Sequence, residues 1–272
     1  MKKILLMFIS LSAAALTMSA APKAYTLKSP DGRLEMHIST ADGIRYDVLH
    51  DGILLLERSQ ASMTLGDGTI YGGTAMKVRR ARTRSVDEVA EAVAYKKSEV
   101  RENFNELELD CGGYKVIFRA YDDACAYRFI SLSRTPFTVT DEQADFRFAE
   151  DWHAEIPYIN KKWKGSLEDI LVNDFQCTYT RSKLSEWKER WSIVPLLVEC
   201  PQGKKVVKPT LWTTPECSFT TTKKEGRLRS AAILRGFRTK PKSGGTIWCR
   251  RWSVHVRTIS PNLTERRRSL GA

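Results

Sequence analysis

Apolar and polar residues alternate in short runs through the first half of the chain. The alternation is clearest over residues 34–38, 45–48 and 114–120, where every second side chain is apolar. A period of two places those side chains on one face of an extended chain, so each run predicts a half-buried β-strand. The apolar runs 53–56 and 126–132 predict two further strands.

Reversal signals separate these runs. Asp51-Gly52 is typical of a tight hairpin, because both central positions of such a turn take positive φ. Gly66–Gly68, Gly112-Gly113 and Asp122-Asp123 predict further turns. The one helix-like stretch, Ser85–Ala94, is short enough to be a loop instead. Short strands with a turn every 8–12 residues predict an all-β fold, a large antiparallel β-sandwich, rather than a parallel sheet.

Composition divides the chain in two. Its 272 residues leave room for one sizeable domain, and the formal net charge is +12. Residues 207–272 contain 15 Lys and Arg against 3 Glu and no Asp, whereas residues 1–206 balance to zero. A charge of this size suits nucleic acid or an anionic surface only if the basic segment is itself functional. The pattern predicts a neutral domain followed by a basic tail.

The N-terminus has the features of an export signal. Lys2 and Lys3 precede the apolar run Ile4–Leu16, and small residues follow at Ser19–Ala21. The run is too short for a stable membrane anchor. We expect residues 1–20 to be a signal peptide and the mature protein to be periplasmic or secreted, with no membrane span.

Candidate chemistry is sparse. The sequence contains no zinc-protease, nucleophile-elbow, phosphate-loop or dinucleotide motif, and the four histidines are scattered. Six cysteines form no Cys-x-x-Cys pair; those before the tail are predicted to be small buried apolar residues. Trp152 and Trp163 belong to a tryptophan-rich segment and are carbohydrate-binding candidates, with core packing as the alternative.

Several short motifs follow one another along the body of the chain. They are Ser29-Pro30-Asp31-Gly32, Asn105-Glu106-Leu107, Phe118–Asp123, Ala126–Phe129, Tyr179-Thr180, Leu184-Ser185 and Val194–Glu199. No single motif is decisive, but their order and spacing together are specific. They resemble the N-terminal domain of glycoside hydrolase family 97, the exported α-glucosidases and α-galactosidases of gut-type Bacteroidetes, and the resemblance covers about residues 25–206.

The resemblance implies a galactose-mutarotase-like super-sandwich over residues 21–206. In the family this domain packs against a (β/α)8 barrel that carries the catalytic carboxylates, and it lends a calcium-binding glutamate to the active site. In register with Tyr179-Thr180 that position is Gln176 here. An amide oxygen can coordinate Ca²⁺ but lacks the carboxylate charge, and the alternative is a polar strand residue bonded locally.

The resemblance ends where the charge changes. Read in a shifted frame, the codons for 211–217, 245–249 and 268–272 permit Asp-Tyr-Pro-Gly-Met, His-Asn and Pro-Trp-Arg, which the family carries in that order. We therefore expect residues 207–272 to be out of frame and disordered. The sandwich would then be incomplete, with an unpaired edge.

Three functions remain open on the sequence. The leading hypothesis is a non-catalytic N-terminal domain of a family 97 α-glycosidase, truncated before the barrel, with no catalytic residue assigned. The alternative is a free-standing carbohydrate-binding module. A nucleic-acid-binding role for the tail rests on charge alone, and the predicted partners are a carbohydrate and the barrel, not nucleic acid.

Overall fold

The computed structural model describes residues 24–91, 98–135, 137–158, 178–186, 191–192, 196–201, 205–208, 219–220, 227–232 and 253–258. These residues are almost entirely extended. The first strands are β1 (Ala24–Lys28), β2 (Leu34–Ser39), β3 (Ile44–His50), β4 (Ile53–Leu65), β5 (Ile70–Tyr71), β6 (Arg80–Glu91), β7 (Glu99–Asp110), β8 (Tyr114–Tyr121) and β9 (Ala124–Ser131). The later ones are β10 (Val139–Arg147), β11 (His153–Ile156), β12 (Thr180–Lys183), β13 (Trp191–Ser192), β14 (Leu196–Glu199), β15 (Lys205–Lys208), β16 (Phe219–Thr220), β17 (Arg227–Ala232) and β18 (Ser253–Thr258), with a 3-10 turn at Leu184–Glu186.

In the described part of the chain the strands form two large sheets. Sheet 1 has the order β1-β2-β3-β4-β10-β17, with β5 beside β4. Sheet 2 has the order β12-β11-β14-β15-β18-β9-β8-β7-β6, and β13 pairs with β16 separately. Neighbouring strands in both sheets run antiparallel. The predicted all-β antiparallel sandwich is confirmed.

The core lies between the two sheets. Tyr46 of sheet 1 and Tyr127 of sheet 2 are each 1% exposed, and their ring centroids lie 5.7 Å apart. Phe118 packs against Tyr127 at 6.2 Å, and the Tyr46 hydroxyl donates to the carbonyl oxygen of Asp145. Each such aromatic pair adds roughly 0.5–1.5 kcal/mol beyond the burial of its area. The contact between Tyr46 and Tyr127 therefore joins the two sheets.

Two of the predicted turns have the backbone that their residues require. Asp51 and Gly52 have φ of 51° and 75°, which are the paired positive angles of a tight hairpin between β3 and β4. Gly68 has φ of 83° in the turn after β4. These turn predictions are confirmed, because the residues chosen are those that tolerate left-handed backbone.

The helix-or-loop prediction for Ser85–Ala94 is wrong over its described part. Residues 85–91 belong to β6, which pairs with β7 at twelve successive positions, from Arg80 opposite Asp110 to Glu91 opposite Glu99. The apolar spacing of a short stretch cannot distinguish a helix from a strand when the pairing partner lies further along the chain. Tertiary pairing decided the structure here.

Several predictions fall on residues outside the described ones. These are the signal peptide 1–20, Trp163, Gln176, Cys177 and most of the basic tail. The described pieces of the tail beyond Lys208 are backbone strands: β17 beside β10, β18 between β15 and β9, and β16 beside β13. The out-of-frame origin of 207–272 stays a prediction. Among the residues described, no helix has the length and apolar character that crossing a membrane requires.

Candidate functional site

A cluster of charged side chains lies on the outer face of sheet 2, the face directed away from sheet 1. Strand pairing places Arg84 of β6, Glu106 of β7 and Arg119 of β8 side by side. Arg84 Nε donates to Glu106 Oε1 at 2.7 Å, and Arg119 Nε donates to Glu106 Oε2 at 2.6 Å. Each carboxylate oxygen thus has its own guanidinium donor. We call these three residues the Glu106 cluster.

The three side chains of the Glu106 cluster differ in their exposure to solvent. The Glu106 side chain is 4% exposed and that of Arg119 is 14% exposed, whereas that of Arg84 is 59% exposed. Burial raises the pKa of the Glu106 carboxyl, but hydrogen bonds from Arg84 and then Arg119 outweigh it, so the pKa lies below its ordinary value. The group is therefore an ionised anchor rather than a proton donor.

Two aromatic side chains contact the guanidinium of Arg119. Its Cζ lies 3.9 Å from the ring centroid of Phe104, a cation–π geometry, and its Nη1 donates to the Tyr121 hydroxyl at 3.3 Å. That hydroxyl donates to Glu102 at 3.3 Å. Because a guanidinium held by three neighbours loses its rotamer freedom, Arg119 is fixed in position, and the exposed Arg84 carries the excess positive charge of the cluster.

The lowered pKa of Glu106 predicts a pH-dependent contribution to stability. A carboxyl with a depressed folded-state pKa contributes stability that is present above its unfolded pKa, and this is lost as pH falls through the folded value. We expect the difference in melting temperature between the chain and its Glu106→Gln variant to be constant from pH 7 to about pH 5 and to shrink below about pH 4. Thermal unfolding followed by circular dichroism at each pH measures this. A difference that stays constant down to pH 3 would contradict it.

A second polar group joins the sheets at one end of the sandwich. The turn Ser29–Gly32 lies against the β8–β9 turn, where the backbone N–H of Asp31 donates to Asp122 Oδ1 at 2.9 Å. Asn105 Nδ2 donates to the carbonyl oxygen of Lys28 at 2.9 Å. Ser29 Oγ donates to Asp31 Oδ1 at 2.5 Å, which closes the turn on itself. Three motifs that are far apart in sequence therefore meet here.

An open groove of about 560 Å³ runs beside the Glu106 cluster. Besides Arg84 and Glu106 of the cluster, its lining includes the charged residues Arg82, Glu108, Lys115 and Arg128 and the apolar residues Ile117, Ile130 and Leu132. Lys115 Nζ donates to Glu108 at 2.8 Å, and the Leu132 residue is 36% exposed. Arginine beside apolar surface is the composition that protein contact surfaces favour.

Trp152 lies in the core. It is 9% exposed, packs edge-on against Phe148 at 6.2 Å, and its Nε1 donates to Glu150 at 3.3 Å. Its carbonyl oxygen accepts from the Leu184 N–H. This is the packing role that the sequence left open as the alternative to sugar stacking. Trp163, the other carbohydrate-binding candidate, is not among the described residues.

The predicted calcium position cannot be placed, since Gln176 is outside the described residues. On the neighbouring strand β12, Arg181 donates to Glu199 at 2.5 Å and lies 3.7 Å from Glu155. Both carboxylates are thereby paired with a cation. In the described ranges no group of three or more His, Cys, Asp or Glu side chains is arranged to hold a metal ion.

The Glu106 cluster was not predicted as a site. Glu106 is part of a motif that carries the family resemblance, but its role was not apparent from the sequence. A usable signal was present: once β6, β7 and β8 are paired, Arg84 and Arg119 come opposite Glu106. The pairing register is a property of the folded sheet and not of the sequence. The cluster could therefore be found only after β6 had been recognised as a strand.

Comparison with known proteins matches most of this chain to one family. Residues 27–208 match the family described as glycosyl-hydrolase 97 N-terminal. A retaining α-galactosidase from Bacteroides thetaiotaomicron is 39% identical over 188 residues, which is 68% of this chain and 28% of that enzyme. The chain thus spans less than a third of that relative.

Solved structures share the fold. A β-arabinopyranosidase superposes with a TM-score of 0.63 at 21% identity, over 76% of this chain and 35% of that one. A family 97 enzyme from Pseudoalteromonas sp. strain K8, in complex with acarbose, superposes with a TM-score of 0.60 at 14% identity, over 86% and 34% of the two chains. At these identities the likeness concerns architecture. In both cases the matched part is about a third of a longer protein.

Proposed function

This chain belongs to the glycosyl-hydrolase 97 N-terminal family, and from that premise we propose that it is a non-catalytic β-sandwich that supports a catalytic barrel acting on α-glycosides. The observation that carries the proposal is the outer face of sheet 2. There a buried carboxylate is held between two arginines instead of being left to solvent. The arginines that cover this carboxylate, together with the apolar residues beside them, suit a surface that a second protein body covers.

The proposed docking surface consists of the Glu106 cluster and the adjoining groove. The excess positive charge of the cluster, at the exposed Arg84, offers this surface an electrostatic contact, and the exposed Leu132 offers it an apolar contact. Charge pairs fix orientation while apolar contact supplies affinity. The hydrogen bonds between the Ser29–Gly32 turn and the β8–β9 turn, and between Asn105 and Lys28, would hold the two sheets in one relative position. The outer face of sheet 2 would then be a rigid surface.

A complementation experiment tests the proposal. The Bacteroides α-galactosidase is produced without its matched N-terminal segment and mixed with the full chain, and hydrolysis of p-nitrophenyl α-galactoside is measured. We expect the chain to restore activity at least tenfold over the barrel alone, because docking stabilises the assembled form. The relative's own segment, added in trans, is the positive control.

Matched variants locate the docking surface. Leu132→Asp places a charge on the proposed face, whereas Ile70→Asp places one on another exposed apolar side chain, in β5 of sheet 1, which is 50% exposed. We expect Leu132→Asp to abolish restoration and Ile70→Asp to leave it intact. Restoration by the relative's segment but not by this chain, or equal loss with both variants, would contradict the proposal.

Calcium is a further part of the proposal. Gln176 would supply one neutral oxygen, and the charged ligands that a hard cation prefers would come from the barrel. The described residues of β11, β12 and β14 do not fit a calcium site of their own, since Arg181 already pairs Glu155 and Glu199. Running the complementation assay with added Ca²⁺ and with chelator tests this role: equal activity in both would exclude it.

We also propose that the protein is exported from the cytoplasm. The N-terminal pattern of Lys2-Lys3 and an apolar run is what a signal peptidase substrate requires. We expect protein recovered from the periplasm or medium to begin at Ala21. Mass spectrometry of its N-terminal peptide checks this, and recovery of the chain with Met1 intact would contradict it.

A further inference from the structure

Strand β6 is a long and open edge of sheet 2. It stands at the end of the strand order and spans Arg80–Glu91. Ten of its twelve residues are exposed, on both faces, and Val89 is 63% exposed. Among the described residues β6 pairs with β7 only. An edge of this length and exposure is a ready template for another strand.

The direction of the backbone groups on β6 follows from its neighbours. Cys111 N–H donates to the carbonyl oxygen of Tyr114, so odd-numbered residues of β7 bond to β8. In an antiparallel ladder alternate residues bond to opposite sides, so even-numbered residues of β7 bond to β6. Since Asp110 is opposite Arg80, even-numbered β6 residues are used by β7. The odd-numbered ones, including Thr83, Ser85 and Asp87, point their N–H and C=O groups at the open edge.

Charge along β6 changes sign at its middle. Arg80, Arg82 and Arg84 occupy the first half, and Asp87, Glu88 and Glu91 the second. Such a strand repels a parallel copy, which would bring Arg opposite Arg. It is compatible with an antiparallel copy, in which the basic half meets the acidic half. Charged residues that only prevent pairing at a sheet edge would not need to be separated by sign along the strand.

We propose that a second copy of this chain pairs antiparallel along β6, with the two Ser85 residues facing each other on a twofold axis. The register keeps each face of sheet 2 continuous, because opposite residues in an antiparallel pair lie on the same face. It sets Arg82 opposite Glu88 of the second copy, Thr83 opposite its Asp87 and Ala81 opposite its Val89. About ten backbone hydrogen bonds form, and no like charges are opposed.

A contact between two like charges on β6 and β7 supports this register. Within one chain Glu88 lies directly opposite Glu102 of β7, and like charges in that position are unfavourable. Arg82 of the second copy would lie beside Glu88 and offset the repulsion. Arg84 is already held by Glu106 and Asp87 by Arg101, so neither has to change partner. The exposed Val89 gains an apolar neighbour. This edge adjoins the docking surface proposed above and shares Arg82 and Arg84 with it, but the pairing is argued from β6 alone and is tested without a barrel.

Sedimentation of the full chain, without any barrel, tests the pairing. We expect a concentration-dependent dimer of twice the chain mass. Arg82→Glu and Glu88→Arg should each weaken it about tenfold or more, because each turns two attractive pairs into repulsive ones. The double variant R82E/E88R should restore it, since the reversed pair is again attractive. A chain that stays monomeric, or singles that dimerise like the unaltered chain, would overturn the proposal. So would a double variant that fails to recover.

Proline substitution gives an independent check that does not depend on charge. Thr83→Pro removes an N–H that points to the open edge, so it should abolish the dimer while leaving the melting temperature within a few degrees. Arg80→Ala, at a position outside the opposed charge pairs, is the control and should dimerise normally. A Thr83→Pro chain that is folded by circular dichroism and still dimerises along this edge would rule out the proposed register.

Discussion

Replacing Glu106 with glutamine is expected to lower the free energy of unfolding by about 3 kcal/mol, a large part of what holds a domain of this size together. The substitution keeps the shape of the side chain but removes the close ion pair of the Arg119 guanidinium, which is 14% exposed, and leaves only Glu102, at 3.9 Å, as its counter-charge. Breaking a buried pair in this way costs far more than the pair itself contributes. Urea unfolding of the full chain, followed by tryptophan fluorescence, measures the change.

A matched control is available on the same strand. Glu108 accepts from Lys115 at 2.8 Å, but both side chains of this pair are more than a fifth exposed. Glu108→Gln should therefore cost no more than about 1 kcal/mol, because solvent screens the charges. Equal losses for Glu106→Gln and Glu108→Gln would show that burial of the cluster does not govern its contribution. A loss under 1 kcal/mol for Glu106→Gln would contradict the assigned role directly.

Replacing Gly72 with alanine is expected to cost about 3 kcal/mol, for a different reason. Gly72 has φ of 75°, and a Cβ there would lie 2.8 Å from the carbonyl oxygen of Ala61 and 2.9 Å from Ile44 Cδ1. Its N–H donates to the Tyr114 hydroxyl, and its carbonyl accepts from the Ile44 N–H, so the backbone cannot easily shift. Strain from left-handed backbone and overpacking add together here.

Gly52 separates those two causes. It has the same φ of 75°, but a Cβ built on it meets nothing within 4 Å. Gly52→Ala should therefore show the backbone cost alone, about 1 kcal/mol. The difference between the two variants in thermal and urea unfolding reports the packing cost at Gly72. If the two variants lose the same stability, the close approach of Ala61 to Gly72 has no energetic consequence.

Much of the fold could be predicted from local sequence because half-buried strands and tight turns have short-range signals. Leu34–Ile38 alternates as its burial does, and Asp51-Gly52 takes the positive φ that its residues tolerate. The prediction is wrong at Ser85–Glu91, where neither face of the strand is buried. A strand exposed on both faces has no reason to alternate, so its sequence carries no period-two signal.

The candidate site was less accessible from sequence for a related reason. Trp152 is conspicuous as an aromatic residue, yet only the packing of Phe148 beside it shows that it belongs to the core. Glu106 is one of many acidic residues, and its distinction is that arginines from two neighbouring strands both reach it. Burial and pairing are properties of the assembled sheets, which a linear pattern does not contain.

The sequence by itself determined the all-β class, the reversal points, the family and the division into a neutral body and a basic tail. These depend on residues that are adjacent or two apart, or on motif order along the chain. Only the tertiary structure decided that β6 is a strand, that Glu106 is clamped by Arg84 and Arg119, and that Ser29–Gly32 meets Asp122. The physical reason is that antiparallel pairing brings together residues that are tens of positions apart in the sequence. Which charges interact, and which side chains are buried, depends on that pairing register.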